Sequence, residues 1–281
     1  MVIQWYPGHM AKAKKMITEN LKLVDVVVEI LDARIPFSSR NPDFKEMFNN
    51  KKDLLILNKY DLADPAVSSL WKKFYNSKDV SCVFVNSKDG LGMQDFNKEI
   101  LLLMKDKFER DKSKGMLRRP VKAMIVGIPN SGKSTFINKL SNSSAAKTGD
   151  KPGVTKDKQW IRLNNDTYLL DTPGVLWPKF GDDAISHNLA LTGAINDDIL
   201  DKEELCISLL DYMKIHYPTR LTDRYGEIDA TRSARDILLN ICKLRGFIKT
   251  GNEFDTLRAS IVVLDEFRGG KMGRVSLEVP K

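Results

Sequence analysis

The sequence is short of cysteine and of long apolar runs, and each shortage excludes a class of protein. Its three cysteines, Cys82, Cys206 and Cys242, are dispersed among 281 residues. An odd, scattered set fits neither a disulfide framework nor a cysteine-rich metal cluster, so we expect reduced thiols and a cytoplasmic protein. No apolar run approaches the roughly 20 residues of a membrane-spanning helix. The opening stretch, MVIQWYPGHMAKAKK, lacks the apolar centre of a signal peptide.

Low-complexity tracts and internal repeats are also missing, and the composition is that of a globular protein. Hydrophobic residues make up 42% and charged residues 29%, with a formal net charge of +8. The excess is uneven, because residues 1–177 hold 30 Lys and Arg against 20 Asp and Glu, whereas residues 178–281 hold 15 against 17. A positive first part favours an anionic partner, although modest basicity also serves solubility.

Short apolar runs rich in Val, Ile and Leu predict strands. They cover residues 26–31, 53–57, 82–85, 122–126, 160–163 and 167–171. Amphipathic stretches of helical period, clearest in 92–110, lie between several of them. Continuous apolar strands alternating with helices predict an α/β fold, with a mostly parallel sheet covered by helices on both faces. In such sheets ligands bind at the loops beyond the carboxyl ends of the strands.

The predicted secondary structure changes near residue 180. Residues 183–267 show helical patterns, and a strand-like run, GRVSLEV, appears only near the end. We therefore predict an α/β domain over residues 1–180 and a smaller, mainly helical domain over residues 181–281.

A glycine-rich motif, GIPNSGKST (127–135), follows the fourth apolar run and precedes a helical stretch. It matches G-x-x-x-x-G-K-[ST], in which backbone N–H groups surround phosphates, the lysine reaches their outer oxygens and the hydroxyl ligates magnesium. The helix N-terminus adds positive potential. The predicted nucleotide-binding residues of this loop are Asn130, Ser131, Gly132, Lys133, Ser134 and Thr135, with Ser134 as an Mg²⁺ ligand.

Two further stretches complete a candidate phosphate and metal site. DTPG (171–174) ends the sixth apolar run, so Asp171 can hold Mg²⁺ through water and the Gly174 amide can contact a terminal phosphate. Thr155, in KPGVTKD, is a candidate for a second hydroxyl ligand of the metal. Alone, each stretch would be an ordinary turn or loop.

Base-reading motifs lie earlier in the chain. NKYD (58–61) and NSKDG (86–90) each follow an apolar run. The carboxylate of Asp61 can accept hydrogen bonds from the ring N–H and the exocyclic amine of guanine, a donor pair that adenine lacks, so a site built on it rejects ATP. The alternative for NKYD alone is a strand-end turn. The predicted base-side residues are Asn58, Lys59, Asp61, Asn86, Ser87 and Lys88.

Together these motifs resemble the P-loop GTPases, but with the base-reading motifs ahead of the phosphate-binding ones. The order is that of a circularly permuted GTPase, in which KDKFERDKSKGMLRRP (105–120) joins the original ends. Because of the permutation, the segment that follows DTPG is the start of the helical domain. We therefore expect a switch in which hydrolysis repositions that domain.

Further stretches resemble one family, the ribosome biogenesis GTPase A (RbgA/YlqF) type. The resemblance rests on WYPGHMAKAKK, DARIP (32–36) followed by SSRNP, NKYD, PNSGKS and PGVT. It implies GTP hydrolysis stimulated by the large ribosomal subunit, binding of GTP and GDP, binding of ribosomal RNA, and a role in late assembly of that subunit. We expect a monomer that makes no membrane contact.

The sequence departs from ordinary GTPases at the residue that orients water. Val175 and Leu176 follow DTPG, so the usual glutamine is missing. The resemblance implies His9 as the catalytic candidate, the alternative being a histidine that packs the N-terminal turn. The resemblance also implies that Asn130 helps to hold a potassium ion, whereas a turn-favouring asparagine is the alternative. Mg²⁺ and K⁺ are thus the expected cofactors.

Basic residues near the nucleotide motifs and late in the chain predict a face that binds RNA phosphates. The predicted RNA-binding residues are Lys12, Lys14, Lys15, Lys156, Lys158, Arg268, Lys271 and Arg274. Other functions stay open: a GTPase of tRNA modification or translation, a protein-binding regulatory switch, or a membrane-remodelling GTPase. The lack of a lipidation motif and of a strongly apolar helix face argues against the last.

Overall fold

A computed structural model describes residues 8–48, 51–144, 160–164, 166–177, 180 and 182–280. Six strands form one sheet, in the order β3-β2-β1-β4-β6-β5. The strands are β1 Val26–Asp32, β2 Lys52–Asn58, β3 Cys82–Phe84, β4 Val121–Gly127, β5 Trp160–Asn164 and β6 Thr167–Asp171. All neighbouring pairs are parallel except β5 and β6, which are antiparallel. The predicted mostly parallel sheet is confirmed.

The helices of the described residues are α1 Gly8–Asn20, α2 Pro42–Phe48, α3 Pro65–Ser77, α4 Met93–Leu103, α5 Lys105–Ser113, α6 Lys133–Ser144, α7 Asp183–Leu191, α8 Lys202–His216, α9 Pro218–Tyr225, α10 Ala234–Arg245 and α11 Thr256–Arg268. Short 3-10 helices cover Leu21–Leu23 and Asp197–Ile199. Local sequence explains several starts. Before α3, the Asp64 side chain accepts from the backbone N–H groups of Ala66 and Val67, and Pro65 occupies the first turn.

Buried apolar layers cover both faces of the sheet, and a smaller third cluster packs Leu55 and Leu57 of β2 against Trp71 and Tyr75 of α3. Along β4, Met124 and Val126 belong to one layer, and Ala123 and Ile125 to the other, as the alternation of a strand requires. Helices α4 and α6 contribute to the second layer. The first layer is continuous from α1 through the sheet to α7, α8, α9, α10 and α11. Burial on both faces explains why β1, β2 and β4 are mostly apolar.

The helix predicted over 92–110 is two helices. Phe96, Ile100 and Met104 are buried, and the chain turns at Met104, between α4 and α5. Helix α5 has no buried residue and is tied to the body by Lys107, whose ammonium pairs with Asp25. The stretch predicted as a linker, 105–120, therefore begins as a solvated helix and becomes irregular only after it.

The last described residues return to the sheet. GRVSLEV, which reads as a strand, forms none, because its backbone N–H groups bond to loops: Val275 donates to the Leu62 carbonyl at 2.8 Å and Leu277 to the Arg34 carbonyl at 2.9 Å. The helices of the predicted second domain lie within 182–280, but its final segment packs on the α/β part. Within the described part of the chain, no helix is long and apolar enough to span a bilayer.

Candidate nucleotide site

The predicted motifs meet at one edge of the sheet. In the strand register, Asp32 at the end of β1 pairs with Asn58 at the end of β2, and Ile30 pairs with Gly127 at the end of β4. Asp171 ends β6, the next parallel strand. Because carboxyl ends of parallel strands share an edge, motifs far apart in sequence line one site.

The phosphate loop, residues 127–133, needs its glycines. Gly132 has a φ of +91°, and a Cβ there would lie 2.3 Å from Nδ2 of Asn58. Gly127 has a φ of +154°, and a Cβ there would lie 2.5 Å from the Ile30 carbonyl oxygen. Both positions combine a backbone conformation that favours glycine with close approach of neighbouring atoms. The loop then leads directly into α6, whose N-terminus attracts anions.

Lys133 lies at the base of the phosphate loop with only 8% of its surface exposed. Its Nζ donates to the carbonyl oxygens of Gly127 at 3.4 Å and Ile128 at 3.3 Å. Burial lowers the pKa of Lys133 to about 8, and the charge of Asp171 opposes that shift. A buried ammonium held by weak carbonyl contacts gains a stronger partner when a phosphate binds.

Asp171 and Ser134 present oxygen atoms at this edge, and both are exposed. Partial desolvation raises the pKa of the Asp171 carboxyl, whereas Lys133 and the Thr172 N–H lower it. Within the described residues, no group of three or more His, Cys, Asp or Glu side chains could hold a metal. One carboxylate and one hydroxyl suit Mg²⁺ that is shared with phosphates.

Asn58 joins the three loops of the site. It is 2% exposed, and its Nδ2 donates to the Ser131 carbonyl in the phosphate loop at 2.9 Å. Its Oδ1 accepts from the Ser87 N–H at 3.2 Å and from the Ser87 hydroxyl at 2.6 Å. A single buried amide thus holds the phosphate loop and both base-side loops in register.

Lys59 and Asp61 occupy different surroundings in the base-side loop. Lys59 has a φ of +58° and its Nζ lies 2.9 Å from Oδ2 of Asp32, whereas Asp61 is exposed. Asp32 also accepts from Arg34, through Nε at 2.9 Å and Nη2 at 2.7 Å. Burial alone would raise the pKa of Asp32, but the charges of Arg34 and Lys59 hold it well below its usual range.

Asp32 and Arg34, both within DARIP, are not among the site residues predicted from the sequence. Their signal was a charged pair placed directly at a strand end. In the NSKDG loop, Asn86 Oδ1 accepts from the Lys88 N–H at 3.0 Å, and Asn86 Nδ2 donates to Asp89 at 2.7 Å. Asn86 therefore shapes the loop from within.

Several predicted residues lie beyond the described structure. Thr155, Lys156 and Lys158 are outside the described residues. His9 belongs to α1, but its side chain is likewise outside what the structure describes. Val175, 1% exposed, is in the apolar core next to the equally buried Leu176.

Asn130 and Gly174 lie at the rim of the phosphate loop. Asn130 has a φ of +56°, and its Nδ2 donates to the Gly193 carbonyl, beyond the end of α7, at 2.7 Å. A Cβ on Gly174 would lie 2.9 Å from the Pro129 nitrogen and 3.0 Å from Lys133 Nζ. The DTPG loop therefore lies directly against the phosphate loop, and the helical part touches its rim.

Two arginines predicted to bind RNA, Arg268 and Arg274, have partners within the chain. Arg268 is 18% exposed and forms two bonds to Asp197, at 2.7 and 2.8 Å. It also donates to the carbonyls of Ala190 and Leu191, which end α7. The guanidinium of Arg268 is thus engaged within the chain, and contact between Arg268 and RNA stays a prediction.

Arg274 is committed in the same way, because it donates to the carbonyl oxygens of Tyr60 and Ala63. Lys271, Lys12 and Lys15 are exposed, whereas Lys14 pairs with Asp43 at 2.6 Å. RNA binding by this set of residues stays a prediction.

Comparison with known proteins shows the family of this chain. A family model described as 50S ribosome-binding GTPase matches residues 122–243. The chain is 45% identical to the protein named Ribosome biogenesis GTPase A of Bacillus cereus, over 100% of this chain and 95% of that protein. It is 31% identical to the Thermotoga maritima protein of the same name, over 99% of this chain and 95% of that protein.

Solved structures agree as well. The GDP-bound structure of TM YlqF has a TM-score of 0.67 and 26% identity, covering 94% of this chain and 99% of that chain. The GNP-bound YlqF from T. maritima has a TM-score of 0.67 and 27% identity, covering 96% of this chain and 99% of that chain. The fold and the family expected from the motifs are therefore confirmed: the chain is a GTPase that belongs to the ribosome biogenesis GTPase A family.

Proposed function

We propose that the protein is a GTP-hydrolysing switch that binds ribosomal RNA and assists late assembly of the large ribosomal subunit. The observation that carries the switch is the hydrogen bond from Asn130 to the Gly193 carbonyl, which joins the phosphate loop to the helical part. In this proposal, a change at the terminal phosphate reaches the helices through the contact between Asn130 and Gly193. The ribosomal target is supported by full-length similarity to proteins named for ribosome biogenesis. We place the protein in the cytoplasm, as a monomer without membrane contact.

In this proposal, different residues bind the base, the phosphates and the magnesium ion. Asp61 accepts from the guanine edge, the stem of Lys59 lies along the base, and backbone N–H groups near Ser87 and Lys88 meet the guanine carbonyl. The phosphate loop with Lys133 holds the phosphates. Ser134, Thr155 and, through water, Asp171 hold Mg²⁺, which neutralises charge on the phosphate oxygens.

Positioning of the attacking water needs a side chain other than Val175, which is buried in the core. We assign this role to His9. Nδ2 of Asn130 donates a hydrogen bond to the Gly193 carbonyl, so Oδ1 is the atom suited to a potassium ion. A cation there would stabilise transition-state charge, as an arginine finger does in other GTPases.

Base recognition is tested with Asp61→Asn. The amide can donate to the additional carbonyl of xanthine, so GTP affinity should fall and xanthosine triphosphate affinity should rise. Isothermal titration of both nucleotides with both proteins measures the exchange. Wild-type binding of ATP as tight as that of GTP would remove the guanine assignment.

The catalytic assignment is tested with His9→Ala in the presence of large ribosomal subunits. We expect hydrolysis to fall at least tenfold, about 1.4 kcal/mol of transition-state stabilisation, while GTP affinity changes little. An unchanged stimulated rate would return His9 to a structural role. Exchanging potassium for sodium in the same assay tests the cation at Asn130.

The ribosomal target is tested by gradient sedimentation with a non-hydrolysable GTP analogue. We expect comigration with large-subunit particles, weakened by salt. Replacing both Lys12 and Lys15, or both Lys156 and Lys158, by Ala should reduce the salt slope by roughly 0.7 to 0.9 for each lysine that contacts a phosphate. Failure to comigrate with the subunit would leave a regulatory switch with another partner.

A further inference from the structure

The segment that follows α11 lies directly against the base-side loop. We define the C-terminal segment as residues 270–278 and the base loop as residues 58–64, which contains NKYD. Arg274 donates through Nε to the Ala63 carbonyl at 2.6 Å and through Nη2 to the Tyr60 carbonyl at 2.8 Å. Its guanidinium carbon also lies 4.7 Å from the centre of the Tyr60 ring. One side chain therefore holds the loop on both sides of Asp61.

Backbone contacts extend this attachment along the loop. The N–H of Val275 donates to the Leu62 carbonyl at 2.8 Å, and the N–H of Asp64 donates to the Ser276 hydroxyl at 3.1 Å. A Cβ on Gly270 would lie 2.5 Å from Cδ2 of Leu62, so the C-terminal segment and the base loop also touch there. The base loop consequently depends on the C-terminal segment for partners that its own strand does not supply.

The C-terminal segment is in turn fixed to the helical part. The Ser276 carbonyl accepts from the Tyr212 hydroxyl of α8 at 2.8 Å and from the Tyr217 hydroxyl at 3.3 Å. Further along, the Trp71 ring N–H donates to the Glu278 carbonyl at 3.3 Å. The segment thus contacts both α8 and the base loop.

Position matters at Asp61 because it must receive two donors from one base edge at once. A site of this kind requires placement to about half an ångström by the surrounding residues. Lys59 is fixed from one side by Asp32, at 2.9 Å. Tyr60, the residue between Lys59 and Asp61, is fixed from the other side by Arg274. The aspartate itself is exposed, so its neighbours determine where its carboxylate lies.

We propose that Arg274 is a positioning residue for guanine recognition, and that through it the helical part sets the affinity for GDP and GTP. This inference rests on the proposed assignment of Asp61 to the guanine edge. Arginine suits the role because its planar fork reaches two carbonyl oxygens while its face covers a ring, which a lysine cannot do. Nothing in this role requires contact between Arg274 and the nucleotide.

The test compares guanosine and inosine diphosphates, since inosine lacks the exocyclic amine and offers Asp61 one donor instead of two. Dissociation constants for GDP, GTP and IDP are measured for wild type, Arg274→Ala and Arg274→Lys, well below each melting temperature. For Arg274→Ala we expect GDP and GTP to weaken equally, by about tenfold, because they share the base. We also expect the preference for GDP over IDP to shrink several-fold. Arg274→Lys should recover only part of both. The control Lys249→Ala, at an exposed residue outside the C-terminal segment, should match wild type.

The outcomes separate the two assignments. If Arg274→Ala melts earlier but keeps the wild-type dissociation constants and preference, Arg274 is only structural and the inference is wrong. Should Arg274→Ala not fold, Arg274→Lys decides in the same way. Asp61→Asn is measured alongside: if it retains GDP affinity and preference, the guanine assignment fails whatever Arg274 does. Loss in Asp61→Asn without loss in the Arg274 variants overturns the further inference alone.

Discussion

Replacing Asn58 by alanine should damage both stability and nucleotide binding. The variant loses three hydrogen bonds, one to the Ser131 carbonyl and two from Ser87. A typical hydrogen bond contributes about 0.5 to 1.5 kcal/mol net, and a buried partner left unsatisfied costs about 1 to 3 kcal/mol. Because Asn58 is 2% exposed, water does not readily replace it. We therefore expect the free energy of unfolding to fall by about 3 kcal/mol, a lowering of the melting temperature by roughly 6 °C.

The same substitution should weaken GDP at least tenfold, since the phosphate loop and the base-side loops lose their common tie. The assay is thermal denaturation with and without GDP, followed by titration well below the transition. Asn58→Asp keeps the acceptor for Ser87 but sets a carboxylate oxygen against the Ser131 carbonyl, so it should be as damaging as alanine. Exposed Asn76→Ala is the matched control. An Asn58→Ala protein that melts within 1 °C of wild type (roughly 0.5 kcal/mol) and binds GDP normally would refute this account of the site.

Three other positions give independent predictions. Burial raises the pKa of Glu29 to about 7, against the opposing charge of Arg40. The contribution of Glu29 to stability is therefore complete below pH 4.5 and is lost as pH rises through 7. Glu29→Gln should remove this pH dependence of the free energy of unfolding, which amounts to roughly 3 kcal/mol between the two limits. Arg268→Ala removes the partner of Asp197 and the donor to the end of α7, so calorimetry should show a loss of about 2 kcal/mol, whereas exposed Lys271→Ala should lose almost nothing. Gly132→Ala, strained by its positive φ and by the adjacent amide, should abolish measurable GDP binding in titration.

The sheet could be predicted from sequence because its strands are buried on both faces and stand out as apolar runs. The nucleotide edge could be predicted for a related reason, since each motif follows one of those runs and parallel strands align their carboxyl ends. Both inferences use local pattern and one general rule of sheet geometry. Neither depends on which distant residues meet.

What failed depended on partners far along the chain. GRVSLEV alternates like a strand, yet its N–H groups meet loop carbonyls of Leu62 and Arg34. A count of charges likewise does not show that Arg268 and Arg274 bond to carbonyl and carboxylate oxygens within the chain. The break at Met104 is similar, because helical period continues through a residue at which the chain turns away from the core.

The apolar layer shared by the sheet and the C-terminal helices makes the two parts one thermodynamic body. Met10 of α1, Val126 of β4, Leu209 of α8 and Phe267 of α11 belong to the same buried cluster. Neither part can expose its side of that cluster without loss to the other, so heat should unfold both in a single transition. Nucleotide bound at the sheet edge then protects helices that it never touches, and a partner that grips the helices raises the melting temperature of the whole chain.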